Sequence, residues 1–239
     1  MNIVLASGGV DSLTTMLMLK QRQEEFEALF VDLGHRYREA EWEAVNNLVF
    51  DLKIVLNSLT LEDIGKFEKE NAEIEYRNLV LIISALWKGA DKVYLSVEQG
   101  TSVNESRDRD EEFINWVVSG LGRMSGRKIE VENLVSEFTK EDEVRWIVES
   151  WNKNGRKLLD MTFSCYNPVK GKMCGKCNAC IRYWLAYVGN DLKVPDGKFD
   201  FDPKKSEKFQ EYLQKTKEGV YVGRRGEQYR RVFQKLGVW

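Results

Sequence analysis

Short apolar segments alternate with helical patterns through about the first 160 residues, and this alternation limits the fold more than any other feature of the chain. The apolar segments predict β-strands at 2–6, 26–33, 53–56, 91–97 and 128–134. Apolar residues at helical spacing predict helices at 13–21, 35–52, 77–90, 110–124 and 140–154. Strands and helices in this order form βαβ units on a parallel sheet. We therefore predict an α/β fold with a doubly wound parallel sheet, whose helices cover both faces because the strands are apolar throughout.

The alternation ends near residue 160, which predicts an α/β domain over 1–160 and a smaller C-terminal portion over 161–239 with helices near 204–217 and 225–236.

A charged fraction of 31% and a net charge of −2 indicate no general attraction to nucleic acid or to acidic membranes. No apolar run approaches the roughly 18 residues that a transmembrane helix needs, and the start does not read as a secretory signal. We therefore expect a cytoplasmic protein with no membrane partner.

The stretch "SGGVDS" lies where the first predicted strand ends and the first helix begins. In doubly wound folds, ligands bind beyond the carboxyl ends of the strands, and glycines let a bulky anion approach the backbone. The loop offers a phosphate the backbone N–H groups and hydroxyls of Ser7, Gly8, Gly9, Val10, Asp11 and Ser12. Its spacing fits neither a Walker A loop nor the G-x-G-x-x-G fingerprint. A simple turn with Asp11 or Ser12 as the helix N-cap is the competing interpretation.

Four cysteines, the only ones in the chain, form a C-x8-C-x2-C-x2-C array of Cys165, Cys174, Cys177 and Cys180. In a reducing compartment such a cluster indicates a metal rather than disulfides. Four thiolates with no histidine suit a closed, structural Zn²⁺ site. An iron–sulfur cluster is the alternative, although the array has neither the radical-enzyme nor a ferredoxin spacing.

The glycine loop resembles the pyrophosphate-binding loop (PP-loop) of the N-type ATP pyrophosphatase superfamily, whose members adenylate a substrate oxygen. The resemblance implies a Rossmann-like fold of the adenine nucleotide alpha hydrolase type, with ATP as cosubstrate. It also implies that the loop binds the phosphates of ATP and that Asp11 helps to bind Mg²⁺. Asp32 and Leu33, which follow the second strand, would contact the nucleoside.

Together with "TFSCYNPVKGKMCGKCNACIRYW", the loop resembles the QueC family of 7-cyano-7-deazaguanine synthases, over roughly residues 3–188. That family has a threonine-aromatic-serine-cysteine-tyrosine stretch followed by C-G-x-C-x-x-C. "YRNLVLIISAL" resembles its arginine–asparagine helix start, which places Arg77 and Asn78 at the substrate edge. "FTKEDEV" resembles the segment that carries its lysine, here Lys140, and "RDRDEEFI" resembles its acidic segment.

The chain departs from the family pattern around the implied substrate pocket. Residues 34–37 read GHRY where the family usually has glycine-glutamine-arginine-histidine, and residues 74–76 read IEY in place of valine-proline-glycine. Residues 107–109 read RDR in place of tyrosine-proline-aspartate-cysteine. His35 and Asp108 are the candidate substrate-binding residues in these segments, in addition to Asn78.

The implied reaction converts 7-carboxy-7-deazaguanine and ammonia to the nitrile at the expense of ATP, in queuosine or other 7-deazaguanine biosynthesis. A carboxylate is a poor electrophile, so its oxygen must first become part of a leaving group, as in an acyl-adenylate. Ammonia then gives an amide, and a second activation permits dehydration. The resemblance implies Asp11, Arg77 and Lys140 as catalytic residues that position groups and neutralise charge.

Three other functions stay open. One is a QueC-like enzyme that adenylates a different carboxylate or stops at the amide. Another is a tRNA-modifying relative that adenylates a base and inserts sulfur, although the chain has no free cysteine pair and is not basic. The third is a nucleotide-binding module without catalysis.

The C-terminal stretch "YVGRRGEQYRRVFQKLGVW" is both basic and aromatic. We expect an amphipathic helix whose Tyr229, Val232, Phe233 and Leu236 dock on the main domain or on a second subunit. Contact with nucleic acid is the less favoured interpretation. We expect a homodimer.

Overall fold

Five parallel strands form one sheet in a computed structural model that describes residues 1–98 and 108–239. The strands are β1 (Asn2–Leu5), β2 (Glu27–Asp32), β3 (Leu56–Thr60), β4 (Lys92–Tyr94) and β5 (Glu130–Glu132). Their order in the sheet is β3-β2-β1-β4-β5, and every pair of neighbours is parallel. The predicted doubly wound fold is confirmed.

Eight α-helices connect and cover the strands in the described parts of the chain. They are α1 (Val10–Gln21), α2 (Arg38–Leu52), α3 (Arg77–Trp87), α4 (Glu111–Ser125), α5 (Lys140–Met161), α6 (Asn178–Gly189), α7 (Glu207–Lys217) and α8 (Gly223–Lys235). Within those same parts, none of them is long and apolar enough to cross a membrane.

Successive residues of β1 point to opposite faces of the sheet, so the strand contributes to two cores. Val4 packs in a core formed with α1, α2, α5 and α6. Ile3 and Leu5 pack in a second core with α3 and α4. Helices therefore cover both faces, as the apolar strands predict.

Strands β4 and β5 are shorter than predicted, and three further elements differ from the predictions. The third strand begins at Leu56 rather than near Lys53, because Lys53 ends α2 in the left-handed region with φ of +54°. Helix α5 continues to Met161 rather than 154, across a single non-helical residue, Asn152. Helix α6 lies inside the cysteine segment, where no helix is predicted.

The C-terminal helices α7 and α8 pack on α6 and build a third core. Tyr229, Val232 and Phe233 are buried in it and Leu236 packs against it, so the apolar face of this helix docks on α6 and α7 of its own chain, rather than on the 1–160 domain or a second subunit. Residues on both sides of position 160 share the first core, for example Val144 and Tyr183. A boundary between two domains at 160 stays a prediction.

Candidate active site

Gly8 gives the loop between β1 and α1 its shape. Its φ of +72° lies in the left-handed region, and a Cβ added there would lie 2.7 Å from the Ala44 Cβ. Gly9 has an ordinary φ of −82°. The nearest atom of the described residues, Ser7 Oγ, would lie 3.5 Å from a Cβ on Gly9. The fold therefore requires glycine at position 8, whereas Gly9 leaves space beside the first turn of α1.

Gly9 is also the N-cap residue of α1, and within the described residues no side chain caps this end. The buried Ser12 donates its hydroxyl to the Gly9 carbonyl oxygen at 3.1 Å. The Val10 side chain lies in the core, so only its backbone can contact a ligand. Neither Asp11 nor Ser12 is therefore the N-cap of α1, as the competing interpretation expected, and uncapped first-turn N–H groups are of the kind that bind anions. Phosphate binding at this loop stays a prediction.

The loop lies at the switch point of the sheet, where β1 has β2 on one side and β4 on the other. In doubly wound folds, ligands bind in the crevice at such a point. Glu98 follows β4 at the same edge and is buried. Carboxylate oxygens of Asp11, Glu98 and Glu143 lie within 4.8 Å of one another.

Lys140, the first residue of α5, lies among these three carboxylates. Its Nζ contacts Asp11 Oδ1 and lies 3.0 Å from Glu143 Oε2. The distance from Nζ to Glu98 Oε1 is 3.6 Å. The structure thus brings together two of the three predicted catalytic residues, Asp11 and Lys140.

Two arginines complete the charge cluster. Arg225 Nη2 donates to Glu98 Oε2 at 3.0 Å, and Arg182 Nη1 lies 3.6 Å from the same oxygen. Burial lowers the pKa of Lys140 to about 8 and raises the pKa of Glu143. Three carboxylates therefore face three basic side chains in a partly buried site, with Glu98 and Glu143 inside and Asp11 and Arg182 partly exposed. A charged ligand would be less screened there than at the open surface.

A second group of predicted residues lies at the end of β2. Asp32 Oδ1 accepts a backbone hydrogen bond at 2.8 Å, and Oδ2 lies 3.7 Å from Arg38 Nε. Leu33 is buried in the core, so only its backbone can contact a nucleoside. His35 is 1% exposed, with its Nε2 2.9 Å from Glu41 Oε2. The binding roles of Asp32, Leu33 and His35 stay predictions.

Two arginines, Arg77 and Arg182, each donate a hydrogen bond to one tyrosine of a neighbouring pair. Arg77 Nη1 donates to Tyr37 Oη at 3.2 Å, and Arg182 Nη2 donates to Tyr166 Oη at 3.4 Å. The centroids of the two tyrosine rings are 5.5 Å apart. Among the described residues, the buried Nε atoms of both arginines lack a hydrogen-bond partner. Arg77 thus contacts Tyr37, and within the described residues it forms no hydrogen bond or ion pair with Asp11 or Lys140. Both guanidinium groups have an N–H available to an anion.

Asn78 connects the start of α3 to the segment before α4. Its side-chain amide donates to the Asp108 carbonyl oxygen at 3.0 Å, and Asp108 Oδ1 lies 3.7 Å from Arg109 Nε. Residue 107, singled out with this segment, lies outside the described residues. Substrate binding by Asn78 and Asp108 stays a prediction.

The four cysteine Sγ atoms lie within 4.8 Å of one another. The Cys174 and Cys177 Sγ atoms lie 3.8 and 3.4 Å from the Cys180 Sγ. Four Zn–S bonds of about 2.3 Å in a tetrahedron separate the sulfur atoms by about 3.8 Å. The N–H groups of Asn167 and Cys174 donate to Cys165 Sγ at 3.3 and 3.1 Å. The cluster has the donors and the spacing to bind a metal ion.

The cysteine cluster is joined to the glycine loop through the segment that precedes Cys165. The Phe163 N–H donates to the Gly8 carbonyl oxygen at 2.9 Å. Cys165, two residues after Phe163, supplies one of the four Sγ atoms of the cluster. A metal ion at the cysteines would therefore hold the segment that borders the loop.

Sequence reasoning misses four residues of the charge cluster, namely Glu98, Glu143, Arg182 and Arg225. Glu98 has a usable signal, because an acidic residue after an apolar strand lies at the carboxyl edge of the sheet. Glu143 follows Lys140 by three residues and so shares its helix face. Arg225 has no local signal, since its partner Glu98 is 127 residues away.

A glycine loop at the switch point, a charge cluster beside it and a four-cysteine cluster together define a doubly wound α/β protein with a candidate ligand site and a candidate metal site. The family model described as "Queuosine biosynthesis protein QueC" matches residues 1–190. The chain belongs to this family, which confirms the resemblance found in the sequence.

Curated relatives carry the name 7-cyano-7-deazaguanine synthase. The one from Leptospira interrogans is 28% identical over 206 residues, which are 75% of this chain and 83% of the relative. The 7-cyano-7-deazaguanine synthase 2 of Sulfurisphaera tokodaii is 27% identical over 220 residues, 81% of this chain but 46% of the relative. The Saccharolobus solfataricus relative gives the same values, so the chain spans about half the length of these two proteins.

One solved structure, of a 4-thiouridine synthetase–RNA complex with bound ATP, aligns with 66% of this chain and 40% of its own. The TM-score is 0.41 and the sequence identity is 14%.

Proposed function

We propose that the chain is a 7-cyano-7-deazaguanine synthase that converts 7-carboxy-7-deazaguanine to the nitrile with ATP and ammonia. The observation that carries the proposal is the contact of Lys140 with Asp11 inside the charge cluster. This contact lies beside the first turn of α1, whose backbone N–H groups have no side-chain cap among the described residues. Family membership and the names of the relatives support the choice of substrate.

The chemistry proceeds by two activations. The substrate carboxylate attacks the α-phosphorus of ATP, which forms an acyl-adenylate and releases pyrophosphate. Ammonia attacks the acyl carbon, AMP leaves, and loss of a proton gives the amide. The amide oxygen is adenylated by a second ATP, and departure of AMP and a proton leaves the nitrile.

The side chains act by position and charge. The first-turn N–H groups of α1 and the Ser7 hydroxyl hold phosphates. Lys140 offsets charge on the departing pyrophosphate, and the free Nε–H of Arg77 binds the substrate carboxylate. Asp32 and the Leu33 backbone face the nucleoside.

Two metals belong to the proposal. Asp11 would help to hold the Mg²⁺ that binds with ATP, and this ion would supply positive charge against the phosphates. Zn²⁺ rather than an iron–sulfur cluster occupies the four cysteines, because the sulfur spacing suits a single tetrahedral ion. Substrate binding by His35, Asn78 and Asp108, a homodimer and a cytoplasmic location complete the prediction.

Mass spectrometry of a reaction with 7-carboxy-7-deazaguanine, ammonium, Mg²⁺ and ATP tests the function. We expect the nitrile as product, and its loss in Asp11→Ala with the fold retained. Accumulation of the amide would favour the enzyme that stops at that stage. No turnover by folded, metal-loaded protein would reject this substrate.

A further inference from the structure

Helix α8 lies beyond the part of the chain that the family model matches, which ends at residue 190. It nevertheless contacts the charge cluster directly. Arg225, 6% exposed, donates through Nη2 to Glu98 Oε2 at 3.0 Å. Glu98 in turn lies 3.6 Å from the Lys140 ammonium group. A residue of the C-terminal tail thus reaches the proposed ATP site through one carboxylate.

The same face of α8 also holds the start of α5. Gln228 follows Arg225 by three residues, so their side chains lie on one side of the helix. Its Oε1 accepts from Thr139 Oγ1 at 2.6 Å, and its Nε2 donates to Asp142 Oδ1 at 2.9 Å. Thr139 and Asp142 form the capping box at the N-terminus of α5. Helix α8 therefore contacts the residues on both sides of Lys140.

These contacts join groups that are distant in sequence and shielded from water. All four side chains are buried, namely those of Glu98, Thr139, Arg225 and Gln228. Without Arg225, the buried Glu98 carboxylate would lose a cationic partner at 3.0 Å, and both Arg182 and Lys140, each 3.6 Å away, would be drawn more strongly towards it. A lysine held by Glu98 is less available to the phosphates of ATP.

We propose that Arg225, supported by Gln228, is a positioning residue: its ion pair with Glu98 weakens the attraction of Glu98 for Lys140, so that Lys140 can contact the phosphates of ATP. The proposal rests on the proposed function for its ligand, ATP. It assigns to the C-terminal helix a part in the active site, in addition to its packing on α6.

The test uses full-length, metal-loaded protein and two matched substitutions on the same helix. Arg225→Met removes the contact with Glu98, and Arg230→Met removes an exposed arginine of α8. ATP binding is measured by calorimetry with Mg²⁺ present, well below the melting temperature of each variant. We expect Arg225→Met to weaken ATP binding about tenfold or more, because Lys140 would lose its charge-assisted contact with the phosphates, and Arg230→Met to change ATP binding less than twofold.

A double-mutant cycle with Glu98→Gln separates positioning from a general loss of structure. When Glu98 is neutral, it no longer attracts Lys140, so adding Arg225→Met should change ATP binding less than twofold. An equal loss in both backgrounds, or an equal effect of Arg230→Met, would overturn the proposal. If Arg225→Met does not fold, Arg225→Lys against Arg230→Lys replaces it, with an expected loss of about threefold from the shorter reach to Glu98. No difference between those two variants would equally overturn the proposal.

The outcomes for the two proposals are distinct. If wild-type protein binds ATP but does not convert the carboxylate, the proposed reaction is rejected. The double-mutant cycle on ATP affinity would still decide the role of Arg225. Normal turnover with identical ATP binding by Arg225→Met and Arg230→Met would reject the positioning role alone. Wild-type protein that does not bind ATP would overturn both.

Discussion

The Lys140 ammonium group contacts the Asp11 carboxylate, which joins the first turn of α5 to the first turn of α1. Helix α1 begins at the glycine loop, so this contact places a cation beside the N–H groups proposed to hold phosphates. Glu143 and Glu98 lie on the other sides of the same ammonium group. The lysine therefore stands where an incoming polyanion would compete with three carboxylates for it.

Substitution of Lys140 by Met should lower the rate of AMP formation by about 10²–10³-fold, because a cation aimed at developing charge is lost. Lys157→Met is the matched control, since Lys157 contacts Asp51 at the surface. The control should keep its rate and alter the free energy of unfolding by no more than about 0.5 kcal/mol. Comparable rates in the two variants would remove Lys140 from the mechanism.

The two loop glycines should respond differently to alanine. Gly8→Ala places a Cβ 2.7 Å from the Ala44 Cβ at a positive φ, so it should lower the free energy of unfolding by about 2–3 kcal/mol. Gly9→Ala has room in the protein and should cost less than about 1 kcal/mol, yet it should weaken ATP binding about tenfold by filling the space for phosphate. Urea unfolding and calorimetry measure the two effects. Unchanged ATP binding by Gly9→Ala would contradict a phosphate site at this loop.

The cysteine cluster should hold one zinc ion per chain and no iron or sulfide. Elemental analysis and the absence of visible absorbance test this directly. Removal of the metal should also weaken ATP binding, because the Phe163 N–H donates to the Gly8 carbonyl oxygen. Re-addition of Zn²⁺ is the control and should restore binding. Metal-free protein with full ATP affinity would show that the cluster does not support the loop.

Lys198 should make the free energy of unfolding depend on pH above neutrality. Burial lowers the pKa of Lys198 to about 8, and its Nζ donates to the carbonyl oxygens of Asp160 and Thr162. The unfolded chain, with an ordinary lysine pKa, binds more protons between pH 8 and about 10.5, so stability should rise with pH in that interval. Below pH 8 the cost of burying the charge is fully present.

Urea unfolding at pH 7 and pH 10 measures this effect. The stability of wild type relative to Lys198→Met should increase by about 1–2 kcal/mol between these pH values, after allowance for partial exposure. Lys193→Met, at an exposed residue, should show no such change relative to wild type. An equal pH response in wild type and Lys198→Met would contradict the assignment.

Most of the fold is predictable from the sequence because hydrophobic periodicity is a local property. The parallel sheet and the covering of both faces follow from apolar strands alternating with helices. The edge strand β3 is misplaced because it is only partly buried and gives no continuous apolar run, while the left-handed end of α2 at Lys53 has no glycine to mark it. Helix α6 is missed because its first turn begins within the cysteine array.

In the candidate site, too, local motifs can be predicted from the sequence, whereas contacts between distant residues cannot. The glycine loop and the four cysteines are contiguous motifs, so their clustering can be predicted. The contact of Lys140 with Asp11 is not visible in the residues, and only the family resemblance placed both in one site. The contact of Arg225 with Glu98 depends on how the tail docks, which no local pattern encodes.

The fate of the carboxylate oxygen tests directly whether the substrate is activated by adenylation. 7-Carboxy-7-deazaguanine labelled with ¹⁸O in its carboxyl group is incubated with the protein, Mg²⁺, ATP and ammonium. The masses of AMP, pyrophosphate and inorganic phosphate are then measured by mass spectrometry. Adenylation transfers a carboxylate oxygen to AMP, so we expect AMP that carries ¹⁸O together with unlabelled pyrophosphate. Label in inorganic phosphate, or AMP without label while product forms, would contradict it.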